Sequence, residues 1–590
     1  MMTLSKFLIN KVSQVRQYAV SARNGMIQNI LLVALLSACA KVDQTYSEPL
    51  SEIGPLGEQA MVASAHPLAT KVGVAVLKDG GNAFDAALAV KFALAVVFPR
   101  AGNIGGGGFA LYRLSDGSVG SLDFREKAPK SAQVHMFLDE QGNVLPEKSI
   151  IGHLAAGVPG TVDGILRLHD SLGSRSIGEL MEPAIRIAQE GFAITQDQAD
   201  IFNEKQQDLI RVNGSDFFMV KPGGWQMGDS IKFPELGETL QSISFHGRRG
   251  FYTGRVAEMI VAEMNGGDGR ITLDDLKSYK SKWRQPLVGS YKGHQIISMP
   301  PPSSGGIALL QLLQGAESYP LGEMQHNSGP TIHLMTELER RVYADRATHL
   351  GDPDFYEVPV AMLLDPTYNK TRFADIKPDQ KTDSQLIKEG NVEIIESVET
   401  THFSVVDAFG NAVAITTTLN SFFGCKVYVQ GAGFFLNNEM DDFSAKPGAP
   451  NQFGLVGGLA NAIAPEKRML SSMTPTIVAK DGRLKMVVGT PGGSTIITSV
   501  FQTILNVIDH GMGMQDAVNA TRVHSQWLPD RILVEKRWLP AGTLEELKTL
   551  GHTIEFRNSM GRMDCILVRP DGRLEGGSDH MRGDNYAEGF

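Results

Sequence analysis

Apolar positions along the chain recur with two periods, and the change of period marks the elements. From Ala65 to Lys78 they fall at helical spacing and stop at Asp79-Gly80-Gly81, a C-cap signal. A second helix is predicted from Ala83 to Val97, with Asn82 as N-cap and Asp85 three positions in. It is apolar on nearly every face, so it belongs between layers. From about 155 to 350 the pattern is mostly helical, broken by Gly157-Val158-Pro159-Gly160 and by Met299-Pro300-Pro301-Pro302-Ser303-Ser304-Gly305-Gly306. The second break reads equally as a rigid lead into the helical run Ile307 to Leu313 or as the lining of a site.

Strand patterns cover Phe109 to Leu114 and a run ending at Asp123-Phe124-Arg125-Glu126. Thr400 to Asp407 and Ala412 to Asn420 are rich in β-branched residues with Gly410-Asn411 between them, which predicts a hairpin. Residues 376 to 399, polar and charged, read as an exposed connection just before it. Further strands precede Asn437, run from Leu470 to Val478 and start at Met486, and a helix starts near Ser494.

Composition is that of a folded protein with a large core: 590 residues, 42% hydrophobic and 20% charged. Net charge is −10 without long single-sign runs, which argues against nucleic acid as a partner. Cysteine is confined to Cys39, Cys425 and Cys565; two semi-buried thiols are favoured over a Cys425–Cys565 disulfide, and no spacing of zinc type supports a metal. The run Asn29 to Cys39 is apolar but too short to span a bilayer, and Lys6, Lys11, Arg16 and Arg23 precede it, as in an export signal. Leu36-Ser37-Ala38-Cys39 resembles the bacterial lipobox, which implies lipidation of Cys39; cleavage after Ala40 is the competing reading, and a start at Met26 stays open.

Four stretches could carry chemistry. Gly105-Gly106-Gly107-Gly108 lacks the Lys-Ser/Thr ending of a phosphate loop and leads into a strand, so close backbone packing is expected. Arg125 leaves a strand end, where an anion-binding residue can be mounted. Glu439, Asp441 and Asp442 follow an apolar strand and could grip an ammonium group; the Pro/Gly-punctuated run 446–458 is long enough for a lid. Gly492-Gly493 opens a helix, which suits an oxyanion or is a plain turn.

In this order, Thr400-Thr401-His402-Phe403-Ser404-Val405-Val406-Asp407, Asn438-Glu439-Met440-Asp441-Asp442-Phe443, Ser471-Ser472-Met473, Gly489-Thr490-Pro491-Gly492-Gly493, Asp123-Phe124-Arg125-Glu126 and the Pro-Pro-Pro-Ser-Ser-Gly-Gly segment resemble the γ-glutamyltransferase family. The likeness runs from about residue 55 to the C-terminus. It implies an α+β N-terminal nucleophile hydrolase fold, a four-layer αββα sandwich made as a precursor. Self-cleavage at Glu399-Thr400 would leave a large subunit, 40–399 after an export signal 1–39, and a small subunit, 400–590, intertwined in one heterodimeric domain.

The resemblance also implies roles. Thr400 would be the nucleophile, its freed α-amine the base, and Thr418 would hydrogen-bond its hydroxyl. Gly492 and Gly493 would hold the oxyanion. Arg125, Ser471 and Ser472 would hold the α-carboxylate of a γ-glutamyl group, and Asn420, Glu439 and Asp442 its α-ammonium. Expected partners are glutathione and other γ-glutamyl compounds as donors and water, amino acids or peptides as acceptors, without cofactor or metal. Expected localisation is the periplasm, with a lipid anchor to the outer membrane as one option. Where lid-bearing relatives carry a tyrosine this chain has Phe453, so its lid lacks a hydroxyl latch to Asn420 and is expected to be looser. Two other functions stay in view: a glutaryl-type cephalosporin acylase, and a non-catalytic surface lipoprotein of the same fold.

Overall fold

Alternation along the strands sorts the core into layers. In the strand Met61–Ser64, Met61 and Ala63 join one hydrophobic cluster while Val62 joins another. The same split separates Val406, Ala412 and Ala414 from Phe403, Val405, Val413 and Ile415. A second set divides likewise: Ile297, Ile477, Val487 and Ile566 share the cluster of Met61, whereas Ile296, Val478, Met486 and Cys565 face away. Two sheets therefore pack face to face, each burying its other surface under helices.

A computed structural model describes residues 46–387 and 399–590 apart from Pro447, Pro450, Phe453 and Val456, and leaves the Glu399 side chain undescribed. The expectations for the export signal, Cys39 and Phe453 lie outside the described residues. Residues 46–49 are exposed and irregular, and Leu50–Phe590 form one unit. No helix among the described residues is long and apolar enough to cross a membrane.

The first sheet runs, edge to edge, through Tyr586–Gly589, Met61–Ser64, Glu399–Val406, Ala412–Asn420, Gly107–Arg113, Val119–Asp123 and Lys282–Arg284. The second runs through Leu56–Gly57, Leu574–Ser578, Asp564–Val568, Arg483–Val488, Thr476–Lys480, His294–Ser298 and Leu287–Tyr291. Segments from before and after Thr400 contribute strands to both, so neither part could complete a sheet alone. Helices Pro67–Lys78, Ala83–Val97, Thr161–Leu172 and Ile177–Glu190 cover the first sheet, and Gly305–Ala316, Gly329–His349 and Thr495–Ile508 the second. This is the expected αββα sandwich. The helix Ala83–Val97 is buried along its whole length, and Asn82 and Asp85 close a reciprocal capping box at its start.

The structure refines three expectations. The region 155–350 is mostly helical, as expected, but also contains the short strands Phe192–Ala193 and Ser230–Ile231 and the strands Lys282–Arg284, Leu287–Tyr291 and His294–Ser298; the last two turn through Lys292 and Gly293, at φ 44° and 75°, a tight hairpin turn that the helical pattern around it obscured. The connection before Thr400 is exposed over most of its described part, as expected, but pinned at points: Ser384 and Ile387 are buried, the Ser384 hydroxyl donates to Trp527 O at 2.8 Å, and Lys381 reaches Asp530 at 3.0 Å. Cys425 and Cys565 are free thiols, fully rather than partly buried, in separate clusters.

Candidate active site

The glycine run is where the first sheet is packed too tightly for side chains. A Cβ on Gly106 would lie 1.9 Å from Thr418 O, and one on Gly108 would lie 2.3 Å from Thr416 O. Backbone thus lies directly against the strand Ala412–Asn420. Asn103 secures this strand end by donating to Thr418 O at 3.0 Å and accepting from Gly106 N at 2.8 Å. Behind it Lys91, on the buried helix, donates to Asn103 O at 2.5 Å; burial lowers the ammonium pKa to about 7, against the pull of Glu126. Neither Lys91 nor Asn103 was marked by the sequence, because an apolar helix and a loop asparagine have ordinary structural readings.

Across the hairpin Thr400 pairs with Thr418, and both line a cleft of about 310 Å³ with Asn420, Arg125, Glu439, Asp442, Ser471, Ser472 and Gly493. The Thr418 hydroxyl accepts from Asn420 N at 2.6 Å, in the same cleft as Thr400 and Glu439. Asn420 itself holds φ at 72° and donates from its amide to Asn438 O at 3.0 Å. Such a conformation is uncommon outside glycine and tolerated best by asparagine.

Gly492 and Gly493 have φ of 143° and 53°. Their carbonyls accept from Thr495 and Ile496, whereas neither N–H meets an acceptor among the described residues. Two undonated amides at the start of the helix Thr495–Ile508 are suited to a developing oxyanion.

Arg125 is fixed by Asp123, which accepts its amide at 2.9 Å and binds Arg284 and Arg468 with its other oxygen. Its guanidinium is buried and meets Glu439 and Asp442 at 2.5 Å each and Glu126 at 3.4 Å. Burial works against that charge, but Glu439, Glu126 and Asp442 more than reverse the effect and hold the Arg125 pKa above its ordinary value. Burial in turn raises all three carboxyl pKa values despite the arginine, Glu126 to about 7. Asn437 ties this acidic turn to the Gly157 loop, donating to Gly105 O at 2.9 Å and Gly157 O at 2.8 Å. Asp441 turns elsewhere, accepting from Ser149 at 2.6 Å and from Gln452 N at 3.0 Å, so it anchors the expected lid run. Leu455 from that run lines the cleft.

Ser471 and Ser472 sit opposite the acids. Arg346, which the sequence did not single out within its long helix, lines the same cleft and donates to Ser472 Oγ at 3.1 Å. Among the described residues one group could also hold a metal, His333, Glu337 and His552. Its donors are already engaged: the two imidazoles bond each other at 2.7 Å, and Glu337 binds Arg341 at 2.8 Å and Arg340 at 3.4 Å.

The Gamma-glutamyltranspeptidase family model matches residues 69–589. The chain belongs to the gamma-glutamyltranspeptidase family. Among its relatives, a glutathione hydrolase proenzyme from Escherichia coli is 45% identical over 535 residues, covering 90% of this chain and 92% of that protein. A glutathione hydrolase proenzyme from Pseudomonas aeruginosa is 47% identical over 524 residues, covering 88% and 92%. A solved cephalosporin acylase from Bacillus halodurans superposes with a TM-score of 0.81 at 26% identity, covering 93% of the transpeptidase chain and 98% of its own.

Proposed function

We propose that this transpeptidase-family chain is a self-cleaving γ-glutamyl acyl transferase and glutathione hydrolase. The observation that carries the reading is the cleft itself: the Thr400 side chain, Gly493 with its undonated amide and a buried arginine–carboxylate set share one cavity, and Gly492 adjoins it in sequence. Cleavage starts with Thr400 Oγ adding to the Glu399 carbonyl carbon; the C–N bond breaks as the nitrogen takes a proton, and water then hydrolyses the resulting ester. The products are an α-carboxylate on Glu399 and a free α-amine on Thr400. That amine has an ordinary pKa of about 7.7–8.0, so an appreciable fraction is neutral near pH 7 and can take the hydroxyl proton.

In turnover Thr400 Oγ attacks the γ-amide carbonyl of glutathione or a related donor, and Gly492 and Gly493 N–H groups hold the oxyanion. Cysteinylglycine leaves with the proton, and water or an amino-acid or peptide amine takes the γ-glutamyl group from the ester. Ser471, Ser472 and Arg125 meet the donor's α-carboxylate, and Asn420, Glu439 and Asp442 its α-ammonium. Residues 40–399 and 400–590 form the processed heterodimer. The signal-like run ending at Cys39 supports export to the periplasm with a lipid anchor.

A glutaryl-type acylase is the second reading, favoured by the likeness to the cephalosporin acylase. Glu439 and Asp442 weigh against it, because a glutaryl group brings no ammonium to answer them. N-terminal sequencing of the smaller fragment, with rates on γ-glutamyl- and glutaryl-p-nitroanilide, decides. A start at Thr400 and a γ-glutamyl preference are expected; an uncut chain would leave only a non-catalytic lipoprotein. Cys39→Ser is expected to release the protein from membranes.

A further inference from the structure

Arg125 already carries several contacts from the protein around it. Its Nε donates to Met469 O, Nη1 faces Glu126 and Glu439, and Nη2 serves Asp442 and Leu470 O. Three carboxylates stand against this one cation, so its charge is largely offset before a donor binds and a second cation strengthens the site.

Arg346 is in the opposite condition. It is 5% exposed, on the helix Gly329–His349, and no carboxylate lies within ion-pair distance of it among the described residues. Its guanidinium donates only to two hydroxyls, from Nε to Ser304 at 2.9 Å and from Nη2 to Ser472 at 3.1 Å, and Nη1 has no partner among the described residues. Asp442, in the same cleft, acts on it only through space, and a guanidinium buried without a paired carboxylate is costly unless a ligand supplies one. The same hydrogen bond commits the Ser472 oxygen as acceptor, which turns its proton outward as a donor.

We propose that Arg346 is a positioning and specificity residue of the γ-glutamyl site: by orienting Ser472 and adding a positive charge that no carboxylate pairs directly, it helps Arg125 recognise the donor's α-carboxylate. This rests on the γ-glutamyl reading above. It also explains the Ser303-Ser304 pair in the proline-rich segment, since Ser304 holds the other edge of the guanidinium and accepts no acid in its place.

The test compares two anilides on the processed enzyme: γ-glutamyl-p-nitroanilide and 4-aminobutyryl-p-nitroanilide, which keeps the ammonium and lacks only the carboxylate. In Arg346→Gln, KM for the first is expected to rise roughly ten- to a hundred-fold with kcat changed far less, the loss of a charge-assisted contact. kcat/KM for the second should stay near wild type, so discrimination between the two collapses. Arg346→Lys, which keeps charge but loses the fork, should fall between. In the pair Arg346→Gln with Ser472→Ala the losses should be less than additive. Equal losses on both anilides, or unchanged discrimination, would overturn the proposal. So would failure of both Arg346 variants to be cut while Ser472→Ala is cut, since Arg346 would then serve maturation. A wild type with no γ-glutamyl preference would instead sink the underlying function.

Discussion

Thr400 stands opposite Thr418, whereas Glu399, one residue earlier, stands opposite Asn420, so Leu419 is left over beside the Glu399–Thr400 bond. A bulge at this point re-aims the chain where pairing must end. Thr418 is held by Asn103 and Asn420 is held by Asn438, so the partner strand cannot slide to restore the register. Thr400→Ala is expected to give a single uncut chain without activity, since nucleophile and base are lost together. A cut and active variant on a denaturing gel would refute the assignment.

The two glycines predict a rate effect. An alanine at Gly492 would bring its Cβ to 2.6 Å from Thr495 Oγ1, at a φ of 143° that side-chain-bearing residues avoid. The N–H stays but shifts from its aim. Gly492→Ala should lower kcat by roughly 10²–10³, the size associated with one oxyanion donor, with KM little changed. Steady-state kinetics of the processed variant check this, and a loss confined to KM would contradict it.

Much of this was legible beforehand, for physical reasons. The helix Ala83–Val97 declared its burial through composition and its start through Asn82 and Asp85; the hairpin declared itself through β-branched runs flanking a turn. The resemblance placed Arg125, Glu439 and Asp442, but not the fact that they first bind one another. Lys91, Asn103, Asn437 and Arg346 stayed invisible because their meaning is relational. Arg346 reads locally as one more arginine in a helix crowded with them, and only packing of that helix beside Ser472 gives it a role. The strand pair around Lys292-Gly293 was hidden by its helical surroundings.

The acid pair predicts specificity. Asp442 receives Arg125 at 2.5 Å and Asn451 at 3.1 Å, so removing its charge loosens both the guanidinium and the lid run. With Asp442→Asn the preference for γ-glutamyl- over glutaryl-p-nitroanilide should fall at least tenfold, matching a charged contact of about 1.5–3 kcal/mol. The ratio of kcat/KM values measures it, and an unchanged ratio would remove Asp442 from ammonium recognition.

His402 predicts a dependence on pH. It is wholly buried within the strand that begins at Glu399, with Nδ1 on Thr416 at 2.8 Å and Nε2 on Ser404 at 3.1 Å, and its ring occupies the space over Gly489, three residues before Gly492. Burial lowers its pKa to about 3, so the folded chain keeps it neutral where an unfolded chain would protonate it. The unfolded state therefore binds more protons between pH 6.5 and about 3. The stabilisation that neutral His402 provides is complete above pH 6.5 and is lost as pH falls, by up to about 1.4 kcal/mol per pH unit. Thermal unfolding of wild type and His402→Gln at a series of pH values tests the sign. The wild-type advantage should be constant above pH 7 and shrink progressively towards pH 5; an advantage that grows on acidification would show that His402 is charged in the fold.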